Sequence, residues 1–335
     1  MRIAVDAMGG DHAPGEIVRG ALEVAREDAA TDVILVGDQA AVQSELDSQG
    51  SVPGNVRVHP AGESIGMGEH PTQAVRRKRD SSLVLAGKMV KTGEADATFS
   101  AGNTGAAMAI ATLDIGRLPG IERPAIATTL PTLKGRAILL DAGANVDCSP
   151  QHLLQWALLG AVYAEKVLKR TAPTVGLLNI GSEPGKGNEL TKAAFTLLQS
   201  ASLNFVGNVE GKDVFEGAAD VIVCDGFAGN ILLKSGEGVA ELIVAILQRE
   251  LAADAHIAES MDVFAPIFKR LMQRIDYSET GGAPLLGIEG VSIIGHGRSR
   301  AKAIANGIRA AREAAASGYV AATREALSAR ESESA

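Results

Sequence analysis

Amide, hydroxyl, carboxylate and lysine side chains are concentrated in five glycine-rich segments of this chain. Glycine lets backbone N–H groups approach a ligand closely, and a helix that follows supplies unpaired N–H donors and a partial positive charge. Such groups suit a phosphate-like anion and a negative charge that develops in a transition state. The segments are residues 6–14 (DAMGGDHAP), 100–106 (SAGNTGA), 141–145 (DAGAN), 179–189 (NIGSEPGKGNE) and 224–230 (CDGFAGN).

Other catalytic signatures are missing from the sequence. It contains no GxxxxGK[ST] phosphate loop, no GxGxxG dinucleotide motif, no GxSxG nucleophile elbow and no HExxH metal motif. Cys148 and Cys224 form no CxxC pair and are interpreted as small buried hydrophobic residues. His12 and His296 fall in loops at predicted strand ends, where they can serve as polar site residues. We therefore expect anion binding without a covalent enzyme intermediate, a metal or a cofactor.

Short apolar runs alternate with longer helical patterns, which predicts a mostly parallel sheet covered by helices on both faces. Residues 125–130 and the following RAILLD run are instead predicted as adjacent strands. Ligands bind beyond the carboxyl ends of parallel strands, so we expect the five glycine-rich segments at one common edge. The predicted strands are residues 2–6, 32–37, 56–60, 97–100, 137–141, 174–179, 203–206, 221–224 and 291–295, and the predicted helices are residues 16–27, 82–92, 104–113, 152–168, 190–200, 231–251 and 300–317.

The composition fits one α/β domain over residues 1–335, with residues 252–277 as a projecting helical insertion and residues 319–335 as a polar C-terminal tail. Aromatic residues make up only 3% of the chain, so aliphatic residues must fill the core. The net charge of −8 disfavours nonspecific nucleic-acid binding. The first residues lack a signal-peptide pattern and no run of about 18 apolar residues occurs, so we expect a cytoplasmic protein without a spanning helix.

Seven longer motifs extend the glycine-rich segments: MGGDHAP, SAGNTGA, DAGANVDC, GLLNIGSEPGKGNE, CDGFAGN, GGAPLLG and GHGRSRAKAIANGI. In this order they resemble the signatures of the bacterial phosphate acyltransferase family over nearly the whole chain. The resemblance implies a Rossmann-like α/β/α sandwich, similar to isopropylmalate dehydrogenases and phosphotransacetylases, in a cytoplasmic homodimer. It also implies transfer of a long-chain fatty acyl group from acyl-[acyl carrier protein] to inorganic phosphate. The acyl phosphate then passes to a membrane glycerol-3-phosphate acyltransferase of phospholipid synthesis.

Phosphate is a competent nucleophile, so the protein must hold it beside the acyl carbonyl and stabilise an oxyanion. Residue types and predicted placement, rather than the resemblance, assign the roles. For Asp141, capping of its own turn stays open as an alternative. The predicted catalytic residues are Lys186, Asn103, Asn179 and Asp225, and the predicted substrate-binding residues are Gly102, Thr104, Asp141, Asn145, Asn188, Asn230 and His12.

An acidic carrier protein needs a local basic surface on a chain that is itself acidic. A basic run at residues 76–79 is one candidate, although such a run is as readily a solvated helix face. A second lies beside an apolar stripe at residues 261–275, for which a dimer interface, an acyl-chain or carrier groove and a membrane contact all stay open. The candidate contact residues are Arg76, Arg77, Phe264, Phe268, Lys269 and Arg270.

Three other functions compete with this prediction. A short-chain phosphate acetyl- or butyryltransferase would share the fold and the phosphate site but would use coenzyme A thioesters. A decarboxylating dehydrogenase of the isopropylmalate type would need a nucleotide site and an aspartate cluster for a divalent metal, neither of which is evident. A non-catalytic regulator of lipid synthesis would not need the polar clusters.

Overall fold

The computed structural model describes residues 1–253, 266, 270 and 280–334. Its strands are β1 (Arg2–Asp6), β2 (Asp32–Gly37), β3 (Val56–Pro60), β4 (Ala97–Ser100), β5 (Ala125–Thr132), β6 (Gly135–Leu140), β7 (Val175–Asn179), β8 (Phe205–Glu210), β9 (Val221–Val223), β10 (Ala283–Leu286) and β11 (Ser292–Ile294). Its helices are α1 (Gly15–Glu27), α2 (Gln39–Ser48), α3 (Pro71–Arg77), α4 (Ser82–Thr92), α5 (Thr104–Ile110) with a π-helical turn (Ala111–Ile115), α6 (Pro150–Lys166), α7 (Glu189–Gln199), α8 (Gly211–Glu216), α9 (Gly226–Ala253), α10 (Ala301–Ala316) and α11 (Tyr319–Ser334).

The described strands form one sheet in the order β3-β2-β1-β4-β11-β10-β5-β6-β9-β7-β8. Most neighbouring strands are parallel, as predicted, and β5 and β6 form the expected adjacent pair, which is antiparallel. Strand β10 runs antiparallel to both β11 and β5. Because β6 then reverses direction again, β6, β9, β7 and β8 point opposite to β1–β4. The sheet therefore has two halves of opposite polarity.

This polarity contradicts the expected common edge for the five glycine-rich segments. The segments after β1 and β4 leave one edge of the sheet, whereas those after β6, β7 and β9 leave the opposite edge. The reversal arises because three neighbouring pairs, β11–β10, β10–β5 and β5–β6, are antiparallel. The two reversals at β10 cancel, so β5 runs like β11 and the β5–β6 pair inverts the direction of the second half. How β10 and β11 join the two halves depends on tertiary pairing, which short hydrophobic runs do not specify.

Helices cover both faces of the sheet, and this explains why its central strands are apolar throughout. In β1, Ile3 and Val5 pack in one buried cluster with Ile17 of α1 and Ile304 of α10. The intervening Ala4 belongs to a separate cluster on the other face, with residues of α4. Successive strand residues point to opposite faces, so both faces must be apolar.

The predicted C-terminal tail is helical in the structure. Helix α11 covers Tyr319–Ser334 and packs by its first turns, because the Tyr319 ring meets that of Tyr163 at a centroid distance of 5.4 Å. Tyr319 is 3% exposed, and the Thr323 hydroxyl donates to its carbonyl oxygen (2.7 Å). The sequence pattern did not predict this packing because the buried residues of the tail are few and widely spaced among polar residues.

The predicted insertion at residues 252–277 lies almost entirely outside the described residues, as do Phe264, Phe268 and Lys269. Arg270 is described and exposed. None of the helices in the described part of the chain has the length and apolar character needed to cross a lipid bilayer.

Candidate active site

A cavity of about 350 Å³ lies where the two halves of the sheet meet. Strand β10 pairs through Ala283 and Pro284 with β11 and through Leu285 and Leu286 with β5, so the halves are offset along the strands. Because of this offset, the carboxyl end of β6 lies at the same height in the sheet as the carboxyl ends of β4 and β11, although β6 runs in the opposite direction. The lining includes Met67, Thr104, Ile126, Thr128, Ala142, Gly143, Asn230, Leu233, Lys234, Glu237, Gly281, Gly282, Ala283, Gly295, His296, Gly297 and Ser299.

Helix α9 forms one wall of the cavity because its first turn lies directly against the segment that follows β6. Gly226 N–H donates to the carbonyl oxygen of Asn145 (2.8 Å), and a Cβ at Gly226 would stand 2.7 Å from that oxygen. A Cβ at Gly229 would overlap the carbonyl oxygen of Asp141. The glycines of CDGFAGN thus serve close packing, which fixes the direction in which Asn230 faces.

The charged groups of the cavity are next along α9. Lys234 Nζ lies 2.8 Å from Glu237 Oε2, and both side chains line the cavity. The imidazole of His296 faces the same space, and burial, followed by the positive charges of Lys234 and Arg298, lowers its pKa. His296 is therefore neutral at pH 7. The described lining residues offer one ammonium, one carboxylate and neutral polar groups, a set that can bind a small oxyanion.

Asp141 holds in place the loop after β6, which lines the cavity next to α9. Its carboxylate is fully buried and accepts hydrogen bonds from the backbone N–H groups of Ile126 (3.0 Å), Ala144 (3.1 Å) and Asn145 (2.6 Å). Asn145 Nδ2 also donates to Asp141 (2.9 Å) and to the carbonyl oxygen of Pro124 (2.9 Å). Both side chains hold the loop in place through these bonds, so the structure gives Asp141 and Asn145 a positioning role, and their predicted substrate contacts stay predictions.

Comparison of the whole sequence with known proteins identifies the family. A family model described as "Fatty acid synthesis protein" matches residues 1–322. A phosphate acyltransferase of Desulforamulus reducens is 52% identical over 98% of this chain and 97% of its own, and one of Desulfitobacterium hafniense strain DCB-2 is 54% identical over 96% of each. The chain belongs to the phosphate acyltransferase family. The predicted family is confirmed.

The fold prediction is also confirmed. A phosphotransacetylase from Streptococcus pyogenes matches with a TM-score of 0.62 over 93% of this chain and 94% of its own. Its sequence identity of 18% makes this a likeness of fold alone. The chain therefore has an α/β sandwich of the predicted type, with the cavity at the junction of its two half-sheets.

Asn103 and Gly102 organise the segment after β4 rather than face the cavity. Asn103 is 6% exposed; its Oδ1 accepts the N–H of Ala106 as the cap of α5, and its Nδ2 donates to the carbonyls of Met67 (3.1 Å) and Glu69 (3.0 Å). Gly102 N–H donates to Ser100 Oγ, which donates to buried Asp6 (2.7 Å). These bonds bring Met67 and Thr104 to the cavity.

The segment after β7 is separate from the cavity. Asn179 Nδ2 donates to the carbonyl oxygen of Lys186 (3.1 Å), Asn188 caps α7 by accepting the N–H of Thr191, and Lys186 Nζ lies 4.0 Å from Glu183. None of these predicted residues lines the cavity, because β7 lies beyond β9 and its carboxyl end is farther from the junction. The predicted convergence of this segment with Asn103 is wrong.

Asp225 and His12 complete the predicted set. Asp225 Oδ1 accepts the N–H of Ala228 (2.8 Å) and so caps the first turn of α9, while half-buried His12 precedes α1 without lining the cavity. Of the predicted residues, Thr104 and Asn230 line it. His296, named above as a polar residue at a strand end, also lines it. Lys234 and Glu237 line the cavity without having been assigned to the site from the sequence. The signal for these two was helical spacing, because residues 230, 234 and 237 share one face of a helix that begins at CDGFAGN.

Proposed function

We propose that this protein transfers a long-chain fatty acyl group from acyl-[acyl carrier protein] to inorganic phosphate. The product is an acyl phosphate, which a membrane glycerol-3-phosphate acyltransferase consumes in phosphatidic acid synthesis. The observation that carries the proposal is the cavity: in a chain of the phosphate acyltransferase family, Lys234, Thr104 and Asn230 all line it.

The reaction needs proximity and charge stabilisation rather than an enzyme nucleophile. Lys234 binds phosphate, and Thr104 and Asn230 donate hydrogen bonds to the oxyanion that forms at the acyl carbonyl. A phosphate oxygen bonds to the carbonyl carbon and the C–S bond breaks. The proton of hydrogen phosphate ends on the departing thiolate, so the products are acyl phosphate and the carrier thiol.

The purified protein tests this directly. Acyl-[acyl carrier protein] and phosphate should yield acyl phosphate and free carrier thiol in equal amounts, followed by mass spectrometry and thiol titration. Acyl-coenzyme A of the same chain length is the comparison substrate. A higher kcat/KM with the coenzyme A thioester would favour the short-chain type of enzyme, and no acyl phosphate from either donor would overturn the proposal.

The carrier is proposed to dock beside α3. Arg76 and Arg77 are exposed and form no ion pair within the described ranges, whereas Lys78 and Arg79 are neutralised by Glu69 (2.6 Å) and Asp114 (2.7 Å). Helix α3 follows the Met67 loop at the cavity mouth, and Pro71 packs on Gly105 of α5. An acidic carrier would therefore meet two uncompensated guanidinium groups close to the cavity.

We expect Arg76→Glu/Arg77→Glu to raise the KM for the acyl carrier substrate about tenfold while leaving the KM for phosphate unchanged, because charge reversal removes steering and docking contacts. Steady-state kinetics at two salt concentrations measure it. The control is Arg57→Glu/Arg136→Glu, which reverses two exposed charges on β3 and β6 away from the cavity. An equal effect of the control pair would exclude a specific docking site.

A homodimer is proposed through the outer face of α9. Val239, Leu242 and Ile246 are each about half exposed or more and lie on a side of the helix that points away from the face shared by Lys234 and Glu237. A helix that is apolar on its outer face as well as its inner face is typical of a helix buried in an assembly.

We expect Leu242→Asp to raise the dissociation constant of the dimer at least about tenfold, because it buries an unpaired charge. Sedimentation equilibrium over a concentration series measures it. Gln248→Asp adds the same charge at an exposed position on the cavity side of the helix and should leave assembly unchanged. A dimer equally stable in both variants would move the interface elsewhere.

A cytoplasmic location with reversible contact to the membrane completes the proposal. Its support is the sequence pattern of Phe264 and Phe268 beside Lys269 and Arg270. Such a contact suits a product that is consumed at the membrane.

A further inference from the structure

A carboxylate lines the cavity in which the proposed anion binds. Glu237 Oε2 contacts Lys234 Nζ at 2.8 Å, and the Glu237 side chain is 26% exposed against 48% for Lys234. A carboxylate only accepts hydrogen bonds and repels an anion, unless that anion carries a proton that it can donate. Lys234 alone would bind any oxyanion. The Lys234–Glu237 pair instead favours an oxyanion that still carries a proton over one that carries none.

We propose that Glu237 is a specificity-determining residue that selects hydrogen phosphate against sulfate. Phosphate retains a proton at neutral pH and can donate it to Glu237 while another of its oxygens accepts from Lys234. Sulfate retains none, so its oxygens face the carboxylate without a hydrogen bond. This inference rests on the proposed function, because phosphate is the ligand.

The remaining lining does not make this distinction. Thr104, Ser299 and Asn230 each carry donor and acceptor atoms and accommodate either anion. His296 has a lowered pKa and adds no positive charge at pH 7. Among the described side chains of the cavity, Glu237 is the carboxylate, and its charge cancels that of Lys234. Net charge therefore gives the cavity little preference for a doubly charged anion, and hydrogen-bond complementarity decides.

The experiment compares phosphate and sulfate on the same full-length proteins. Calorimetric titration with each anion gives both dissociation constants, and sulfate inhibition of acyl phosphate formation gives an independent value. The variant is Glu237→Gln, which keeps the shape but can donate to sulfate. The matched control is Glu241→Gln, one turn further along α9, whose carboxylate pairs with Arg298 (3.4 Å) outside the cavity. Thermal unfolding checks the fold, and Glu237→Ala carries the same expectation if the glutamine variant does not fold.

We expect the wild type to bind phosphate at least about tenfold more tightly than sulfate, and Glu237→Gln to reduce that ratio about tenfold or more. Glu241→Gln should keep the wild-type ratio. An unchanged ratio in Glu237→Gln would overturn the inference, as would equal loss in the control. Calorimetry needs no acyl donor, so a protein that selects phosphate but forms no acyl phosphate would contradict the proposed function and leave the selectivity standing.

Discussion

Replacing Lys234 by alanine should lower kcat/KM for phosphate by a factor of about 10²–10³, the usual loss when one preorganised charge or donor is removed from a reacting anion. Two effects act in the same direction. The anion loses a charge-assisted hydrogen bond, and the Glu237 carboxylate, now without its partner at 2.8 Å, repels it. Initial rates of acyl phosphate formation over a range of phosphate concentrations measure the change.

Lys186→Ala is the discriminating comparison, because the sequence predicts Lys186 as the catalytic lysine and the structure places it outside the cavity. Lys192→Ala, an exposed lysine of α7, is the neutral control. The larger loss is expected at Lys234. A collapse of activity in Lys186→Ala together with normal kinetics in Lys234→Ala would move the phosphate site to the loop after β7.

Many of the elements were predictable because each has a local cause, although α2, α3, α8 and β10 were not predicted. Strands such as β1 and β2 are short apolar runs that helices cover on both faces, and α5 and α7 begin at asparagine caps. The relation between the elements was less accessible. Whether the segment after β6 shares an edge with that after β4 depends on the antiparallel β5–β6 pair and on the way in which β10 joins β11 to the distant strand β5.

In the candidate site, too, local features were predictable from the sequence and features that depend on tertiary packing were not. The sequence predicts five glycine-rich segments at the site: those after β4, β6 and β9 reach the cavity, whereas those after β1 and β7 contribute none of its described lining residues. It misassigned individual side chains because asparagine and aspartate are as useful to a backbone as to a ligand. Asn103, Asp141 and Asp225 each satisfy backbone N–H groups. Only packing shows that these side chains are occupied.

Offset half-sheets of opposite polarity have a functional consequence. Each half presents its carboxyl ends, with their glycine-rich loops, to the same cavity from a different direction. In the proposed function, a phosphate bound by Lys234 on the α9 wall would lie in the same cavity as Thr104, which comes from the other half. Two substrates can then be positioned by two separate walls, which is the main requirement of a reaction that depends on proximity.

The close contact between α9 and the loop after β6 makes Gly229 a sensitive position on α9. A single added methyl group at Gly229 would overlap the carbonyl oxygen of Asp141, whose carboxylate already holds the loop. We expect Gly229→Ala to lower the free energy of unfolding by about 1–3 kcal/mol, as overpacking does. Because the adjacent Asn230 moves with the helix, we also expect a loss of activity of up to about 10²-fold.

Gly238→Ala is the matched control, since it makes the same change on the same helix where, apart from the helix's own backbone, no atom of the described residues lies within 4 Å of the new Cβ. Alanine is the better helix former, so this variant should gain roughly 0.5–1 kcal/mol and keep its activity. Urea denaturation and acyl phosphate assays of both variants measure the two effects. If both glycines tolerate alanine equally, the first turn of α9 does not press against the loop after β6, and the cavity wall it forms would have to be built differently.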